Sequence, residues 1–472
     1  MKTNFSRRNF IKLSALSTAA LGLTSVTPAL SKDKILDKIE KLSIAPNPKG
    51  KSVIGLTVPP IKQVKVAFIG LGNRGIQHLQ FVDALSPDKA IITAICDVQQ
   101  VKVDEAIAEL KKSGHGQNPK VYAGTLDIWK EMIRRDDIDL VIISTPWEDH
   151  VSMCVDSMHH NKHVAVEVPA ASTLEDTWKL VDTAEETQHH CMMLENVCYG
   201  DEELWLLNMA QQGVLGTLTY AECAYIHNLR DLLFSKDYYY NMWRIRHHVN
   251  RDGNHYPTHG LGPVAQYMDV NRGDSFESIV SMSSLQASLD EYSKQVESTN
   301  EFYNHTGYKH GDMNNSLIRT AKGRMILVQH DVVTPRPYNR INALAGTKGY
   351  HEGYPSRLSL ADDKEKGHEW LSEDNYNMYK EKYKHPLWNK LSAGIEKYGG
   401  HGGMDFVMIY RLIDSLNNGW FLDQDVYDAA SWSVIIPLSA LSIELGNVPL
   451  KFPDYTRGRW SEKRELGILK NY

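Results

Sequence analysis

Val64-Lys65-Val66-Ala67-Phe68-Ile69-Gly70-Leu71-Gly72-Asn73-Arg74-Gly75 is the stretch that decides the fold. Its first six residues are mostly apolar and predict a short buried strand, and the glycines at 70, 72 and 75 fall just before the helical pattern Ile76 to Leu85. Three glycines at this spacing mean little alone. Between a strand and a helix they acquire a physical role, because the backbone can approach a pyrophosphate and the helix N-terminus supplies unpaired N–H groups. A second apolar strand, Ala90 to Cys96, ends in Asp97, 22 residues after Gly75. A carboxylate there accepts hydrogen bonds from ribose hydroxyls and repels a 2′-phosphate, so NAD is expected rather than NADP. Without the glycines upstream, Asp97 would read equally well as a strand-end turn residue.

The alternation continues outward from this unit. A helix is expected from about Val101 to Lys112 and another around Thr125 to Arg135, followed by the wholly apolar strand Leu140 to Ser144. A helix to about Asn161, the strand His163 to Glu167, the helix Thr173 to Glu186 and the strand Cys191 to Glu195 complete the pattern. Apolar strands separated by helices imply a doubly wound parallel sheet covered on both faces, and residues 64–190 are assigned to this Rossmann domain. Residues 191–445 read as an α+β domain with a mainly antiparallel sheet, from strands near Thr217 to Tyr225, Ser278 to Ala287, Asn315 to Ala321 and Arg324 to Val333. Thr320 to Arg324 and Gly346 to Gly349 look like hairpin turns. Residues 32–63 are an arm or linker and 446–472 a C-terminal tail.

At 472 residues, with 42% hydrophobic and 23% charged residues, the chain has the balance of a globular protein of two or three domains. The formal charge of -6, with both signs spread along the chain, offers no basic stripe for nucleic acid, so a small molecule or glycan is the expected ligand. The first residues differ: Ser6-Arg7-Arg8-Asn9-Phe10-Ile11-Lys12 precedes a Ser- and Thr-diluted apolar run from Leu13 to Leu23. This is the pattern of a twin-arginine signal, with cleavage expected near Ala29 to Ser31, so residues 1–31 predict recognition by the twin-arginine export machinery and a periplasmic location. The run falls short of the about 20 apolar residues that span a bilayer, so no stable membrane span is expected after processing. Cys96, Cys154, Cys191, Cys198 and Cys223 have no CxxC spacing and lie in apolar stretches, which reads as packed free thiols.

Between Tyr225 and His259 the composition changes to aromatics with polar tips mixed with Arg and His, including Tyr225, His227, Tyr238 to Tyr240, Trp243, Arg244, Tyr256 and His259. Rings pack on the C–H face of a pyranose while polar tips bind its hydroxyls, so a sugar pocket is expected. The competing reading is a loop with core aromatics. Taken singly, Arg244 reads as a surface ion-pair partner, Tyr338 as a loop aromatic and Tyr225 as core. His255 and His259 have i, i+4 spacing, but Pro257 lies between them and no carboxylate or Cys partner stands at a zinc-like distance in sequence, so no metal site is predicted.

The order GxGxxG, Asp97, Ser144-Thr145-Pro146 with His150, then Glu167-Val168-Pro169 resembles the glucose-fructose oxidoreductase and inositol dehydrogenase superfamily. Dehydrogenases of that group mostly carry Lys where this chain has Val168, which argues against a plain sugar dehydrogenase because an apolar residue cannot deprotonate a hydroxyl. With Tyr256-Pro257-Thr258-His259-Gly260, Thr334-Pro335-Arg336-Pro337-Tyr338 and Gly399-Gly400-His401-Gly402-Gly403-Met404, the chain is similar to glycoside hydrolase family 109, NAD-dependent α-N-acetylgalactosaminidases. The resemblance implies that Gly70, Gly72, Asn73, Arg74, Gly75, Asp97, Trp147, Glu148, Asp149, His150, Glu167, Val168, Asn196 and Tyr256 line the NAD site. It further implies that Tyr225, Arg244, Tyr256, Pro257, Thr258, His259 and Tyr338 meet the sugar.

No Asp/Glu pair has the context of a two-carboxylate glycosidase. NAD offers a different route: the sugar gives hydride from C3 to NAD, a base removes the acidified C2 proton as the C1 substituent leaves, water adds, and hydride returns to C3 with no net redox. His259 is the first choice for proton transfer, because an imidazole titrates near neutral pH, with Tyr256 and Tyr225 assisting. The alternative is a periplasmic NAD-dependent sugar or inositol oxidoreductase. A homo-oligomer is compatible with either.

Overall fold

The computed structural model describes residues 37, 41, 43–361 and 369–470; the signal expected over 1–31 lies outside the described residues. Strand β1 (Val64–Ile69) runs into helix α1 (Asn73–Ala84), whose start Asn73 follows the glycine turn directly. Strands β2 (Ala90–Asp97), β3 (Lys120–Ala123), β4 (Leu140–Ile143), β5 (His163–Val166) and β6 (Cys191–Met193) complete a six-stranded sheet in the order β3-β2-β1-β4-β5-β6. Every pairing in it is parallel. Helices α2 (Gln100–Ser113), α3 (His150–His159) and α4 (Leu174–Thr187) are its principal crossovers. Val66, Phe68, Val141, Ile142, Val164 and Ala165 are wholly buried, as strands covered on both faces must be. The helix expected around Thr125 to Arg135 contracts to the turn Trp129–Met132, whose buried Trp129 and Met132 suffice to cover that part of the sheet.

A second, eight-stranded sheet forms from β7 (Leu218–Ile226), β8 (Phe276–Ser283), β9 (Asn314–Thr320), β10 (Met325–Asp331), β11 (Ala343–Gly346), β12 (Gly349–Glu352), β13 (Arg357–Leu360) and β14 (Leu450–Lys451). Its order is β13-β12-β11-β7-β10-β9-β8-β14. All its pairings are antiparallel except β7 with β10, which places Tyr225 opposite His330. Both expected hairpins form: β9 returns as β10 through Gly323, and β11 returns as β12.

Two expected boundaries move. Strand β6 extends the parallel sheet to Met193, past residue 190, because Cys191 to Met193 pair with Val164 to Val166. The C-terminal tail expected over 446–472 is, as far as residue 470, packed on the fold: β14 pairs with β8, and Leu450, Phe452, Tyr455, Leu466 and Ile468 are buried. Helices of the second half that shape the site and its core include α5 (Asp201–Gln211), α6 (Trp243–Asn250), α7 (Thr258–Tyr267), α8 (Met404–Asn418) and α9 (Val426–Ser433), the last running on as Ile435–Glu444. The apolar span Val426–Glu444 is long enough to cross a bilayer, but it is largely packed inside the fold. All five cysteines are buried and free.

Candidate active site

A cleft of about 720 Å³ opens at the carboxyl ends of β1, β2 and β4, where parallel sheets of this kind bind ligands. One wall carries Gly70, Gly72, Asn73, Arg74, Asp97, Trp147, Asp149, His150, Glu167, Val168 and Asn196; Tyr225, Arg244, Tyr256 and His259 lie along the other side. Most of the predicted cofactor and sugar residues therefore share one cavity.

The nucleotide wall fits a dinucleotide. Asp97 ends β2 with its two carboxylate oxygens accepting from the amides of Leu71 (2.7 Å) and Gln99 (2.8 Å), which fixes the carboxylate at the cleft edge with lone pairs to spare. Burial raises its pKa, and those two amides act against the rise. Beyond Gly72 there is open space where a side chain would stand, as a close approach of phosphate requires. Arg74 on α1 donates through Nε to Glu167 (3.0 Å) and through both terminal nitrogens to Asp405 (3.1 Å each). Glu167 also meets His78 Nε2 at 2.6 Å, and Asn196 Nδ2 donates to Asp405 at 2.6 Å. Burial would raise the pKa of both carboxylates, but Arg74 with the neighbouring histidines holds them well below the usual range. Asn196 Oδ1 and Ser144 Oγ are buried without a partner beside this network, the kind of orphaned acceptor and hydroxyl that a bound ligand satisfies. Asn73 Nδ2 donates to the carbonyl of Tyr238 (2.9 Å), tying the glycine-turn wall to the aromatic wall.

Gly75, Glu148, Pro257, Thr258 and Tyr338 stand outside the cleft lining, and His150 lies at its edge in a bracing role. Gly75 packs in the first turn of α1 against the carbonyl of Gly70. Glu148 faces His247 at 3.1 Å. His150, fully buried, is braced between the carbonyls of Pro169 and Thr145 (2.9 Å each) and shapes the turn after β4. Pro257 and Thr258 are buried at the start of α7, and Tyr338 is partly exposed against Arg340 (3.0 Å).

The aromatic corner, where the sugar residues are expected, is built where α7 crosses β7. A side chain at Gly260 would meet the backbone nitrogen of Ala224 at 2.6 Å, so only glycine lets α7 approach this closely. The approach sets His259 against Tyr225 and Tyr256, with ring centroids 5.4 and 4.9 Å away. Tyr225 and Tyr256 lie 4.6 Å apart, Trp147 is 6.0 Å from Tyr256, and Tyr338 is 6.3 Å from Tyr225. Arg244 sits over the Trp147, Tyr239 and Tyr256 rings at 5.2, 5.3 and 4.8 Å and donates to Tyr239 Oη (2.8 Å). Burial pushes the phenols of Tyr225 and Tyr256 well up against the opposing Arg244, so both remain O–H donors at neutral pH.

Sequence reasoning missed the residue that completes this corner. Glu195, fully buried just after β6, accepts from His259 Nδ1 at 2.8 and 3.0 Å. Its position is fixed by the amide of Val197, which donates to it (3.1 Å), and by Gln424, which donates to its carbonyl (2.9 Å). An ionised carboxylate only accepts, so the imidazole proton sits on Nδ1 and Nε2 keeps its lone pair. His227, Tyr239 and His401 also line the cleft, and His401 with Asp405 joins the Arg74 network. His255 turns away from His259 and packs instead against His248 and His310.

Fold and site together define a Rossmann-type, NAD-binding protein whose second domain faces the nucleotide cleft with a carboxylate–imidazole pair set among aromatic rings. Residues 64–195 match the oxidoreductase family with an NAD-binding Rossmann fold, and residues 199–462 match the glycosyl hydrolase 109 C-terminal domain. The chain belongs to glycosyl hydrolase family 109 and is an NAD-using glycoside hydrolase. It is 46% identical over 473 residues to a glycosyl hydrolase family 109 protein of Shewanella sp. (strain W3-18-1), with 99% of each chain covered. It is 45% identical over 469 residues to an alpha-N-acetylgalactosaminidase of Shewanella oneidensis, again with 99% of each covered. Among solved structures, levoglucosan dehydrogenase in complex with NADH superimposes with a TM-score of 0.62 at 16% identity, covering 83% of this chain and all of that one, a likeness of fold.

Proposed function

We propose that the protein hydrolyses terminal α-N-acetylgalactosaminides by a C3 oxidation, C2–C1 elimination, hydration and reduction sequence. The observation that carries this reading is the Glu195–His259 pair: the acid–base group at the sugar corner is a carboxylate-oriented imidazole, not the two facing carboxylates of an ordinary glycosidase. The name of the Shewanella oneidensis relative supports the choice of sugar. NAD, when bound, supplies a reversible hydride acceptor for the sugar C3. Asp97 would meet the adenosine ribose, while Asn196 and the Arg74 network hold the wall beside it. His259 Nε2 takes the proton from the 3-hydroxyl or C2, and Glu195 keeps the ring in the tautomer that can do so and stabilises the imidazolium that results. Tyr225 and Tyr256, kept protonated by burial, donate hydrogen bonds to sugar oxygens. The aromatic wall with Arg244 offers the faces on which a pyranose packs. Val168, buried under the cleft, has no proton to exchange and supports hydrolysis over dehydrogenation.

The test is hydrolysis of a panel of α- and β-linked aryl glycosides before and after stripping of NAD. Activity on the α-N-acetylgalactosaminide that disappears on stripping and returns with added NAD, with no build-up of NADH absorbance, is the expected outcome. Hydrolysis indifferent to NAD, or stoichiometric NADH formation, would overturn it. We also propose export to the periplasm, supported by Arg7-Arg8 and the apolar run after it. Changing both arginines to Lys should leave the protein in the cytoplasmic fraction; unchanged fractionation would refute it.

A further inference from the structure

Behind the Tyr225–Tyr256 corner, outside the cleft lining, four histidines pack together. His248 comes from α6, His255 from the turn that leads to α7, His310 from the loop before β9 and His330 from β10. Ring centroids are 4.3 Å apart for His255 and His310, 4.5 Å for His248 and His310, and 4.9 Å for His248 and His255. All four side chains are essentially inaccessible to solvent. Polar atoms so buried are nearly always hydrogen-bonded, yet Nδ1 of His248 and of His255 has no partner, and His310 has only His330 and the Gly253 carbonyl beside it. One ring nitrogen of each of these three lies within 4.8 Å of those of the other two.

The surrounding contacts suit ligation. His255 Nε2 donates to the carbonyl of Arg251 (3.1 Å), which leaves Nδ1 as the nitrogen with the lone pair. His310 Nε2 meets His330 Nδ1 at 3.2 Å. Metal-binding imidazoles ordinarily use their second nitrogen in this way, to fix the tautomer and the ring orientation. Burial disfavours the protonated form of His248, His255 and His310, while around His310 Asp252, Asp331, the Gly253 carbonyl and Asp312 act the other way. The same three carboxylates lend the region negative charge.

We infer that His248, His255 and His310 bind a divalent transition-metal ion, with zinc the first choice for an all-imidazole set. Tetrahedral zinc with bonds of about 2.0–2.1 Å places its ligand nitrogens roughly 3.3 Å apart, so the rings need to close by up to about 1.5 Å. An oxygen donor fills the fourth position. The ion would clamp α6, the 251–256 turn and the 302–313 loop together and so brace Arg244 and Tyr256 from behind. This role is structural and independent of the reaction proposed above.

The test uses the untagged full chain, produced with zinc in the medium, dialysed and analysed by mass spectrometry for metals. About one zinc per chain is expected, falling below about a tenth in His255→Asn and His310→Asn variants that retain their NAD and far-ultraviolet dichroism. Should those variants not fold, cobalt loaded into the unmodified chain must give the visible bands of a tetrahedral nitrogen-ligated ion. Metal-free protein despite the supplement, zinc that persists undiminished in folded variants, or cobalt bound without those bands would each overturn the inference.

Discussion

In the proposed reaction the imidazole of His259 relies on Glu195 behind it, whose two carboxylate oxygens lie 2.8 and 3.0 Å from Nδ1. Replacing His259 with Ala should slow hydrolysis by on the order of 10²- to 10⁴-fold, the usual share of a positioned acid–base group, with NAD content unchanged. Glu195→Gln removes the charge that stabilises the imidazolium but keeps the shape, so it should lower kcat in the same range while KM moves little; steady-state kinetics on the aryl glycoside checks both. At the other end of the cleft, nucleotide extracted from the purified protein should be NAD, because the Asp97 carboxylate would lie against a 2′-phosphate; a preponderance of NADP would contradict the role assigned to Asp97. His259 and Asp97 were legible from their places in recognisable motifs. Glu195 was not, because in sequence it merely closes the apolar run Cys191 to Leu194, and nothing in spacing links residue 195 to residue 259. That link exists only once α7 packs over the turn that follows β6.

Among the elements, those of the parallel sheet could be read almost strand by strand, since each apolar run of four to eight residues had to be buried on both faces. The glycine turn is a tightly constrained connection. Gly70 has φ +87° and a side chain there would meet the carbonyl oxygen of Ser144 at 2.7 Å, so Gly70→Ala should lower both thermal stability and NAD retention. Thr173 marks the other kind of element boundary: its hydroxyl accepts from the amide of Asp176 (3.1 Å) and caps α4. Thr173→Ala should cost about 1 kcal/mol in thermal unfolding and leave the rate of hydrolysis unchanged. What local pattern did not reveal was the parallel pairing of β7 with β10, joined across nearly a hundred residues, or the two-residue edge strand β14, which has no periodicity to read. The histidine cluster behind β10 was hidden for the same reason: residues 248, 255, 310 and 330 come from four separate segments.

For the whole molecule, the Arg74–Glu167–Asp405 network is the principal polar tie between α1 and the late helix α8, and so between the nucleotide turn and the C-terminal part of the chain. Both carboxylates have folded pKa values held below their unfolded ones, so the stabilisation is fully present above about pH 4, the unfolded carboxylate range, and is lost as pH falls further. The difference in Tm between the protein and Asp405→Asn should therefore be constant from about pH 8 to 5 and shrink below about pH 4. A difference that faded near neutral pH would place the dominant titrating group elsewhere.

The proposed hydrolysis depends above all on breaking the C2–H bond of the sugar, and turnover in deuterated water reads this directly. Deuterium should appear at C2 of the released sugar, because the proton that leaves in the elimination is replaced from solvent. A base shielded from solvent could return the original proton, so the same assay is run with C2-deuterated substrate in ordinary water, where a slowed rate marks cleavage of that bond. Deuterium at C2, or an isotope effect from it, is the predicted result; full protium at C2 together with no isotope effect would contradict the elimination route.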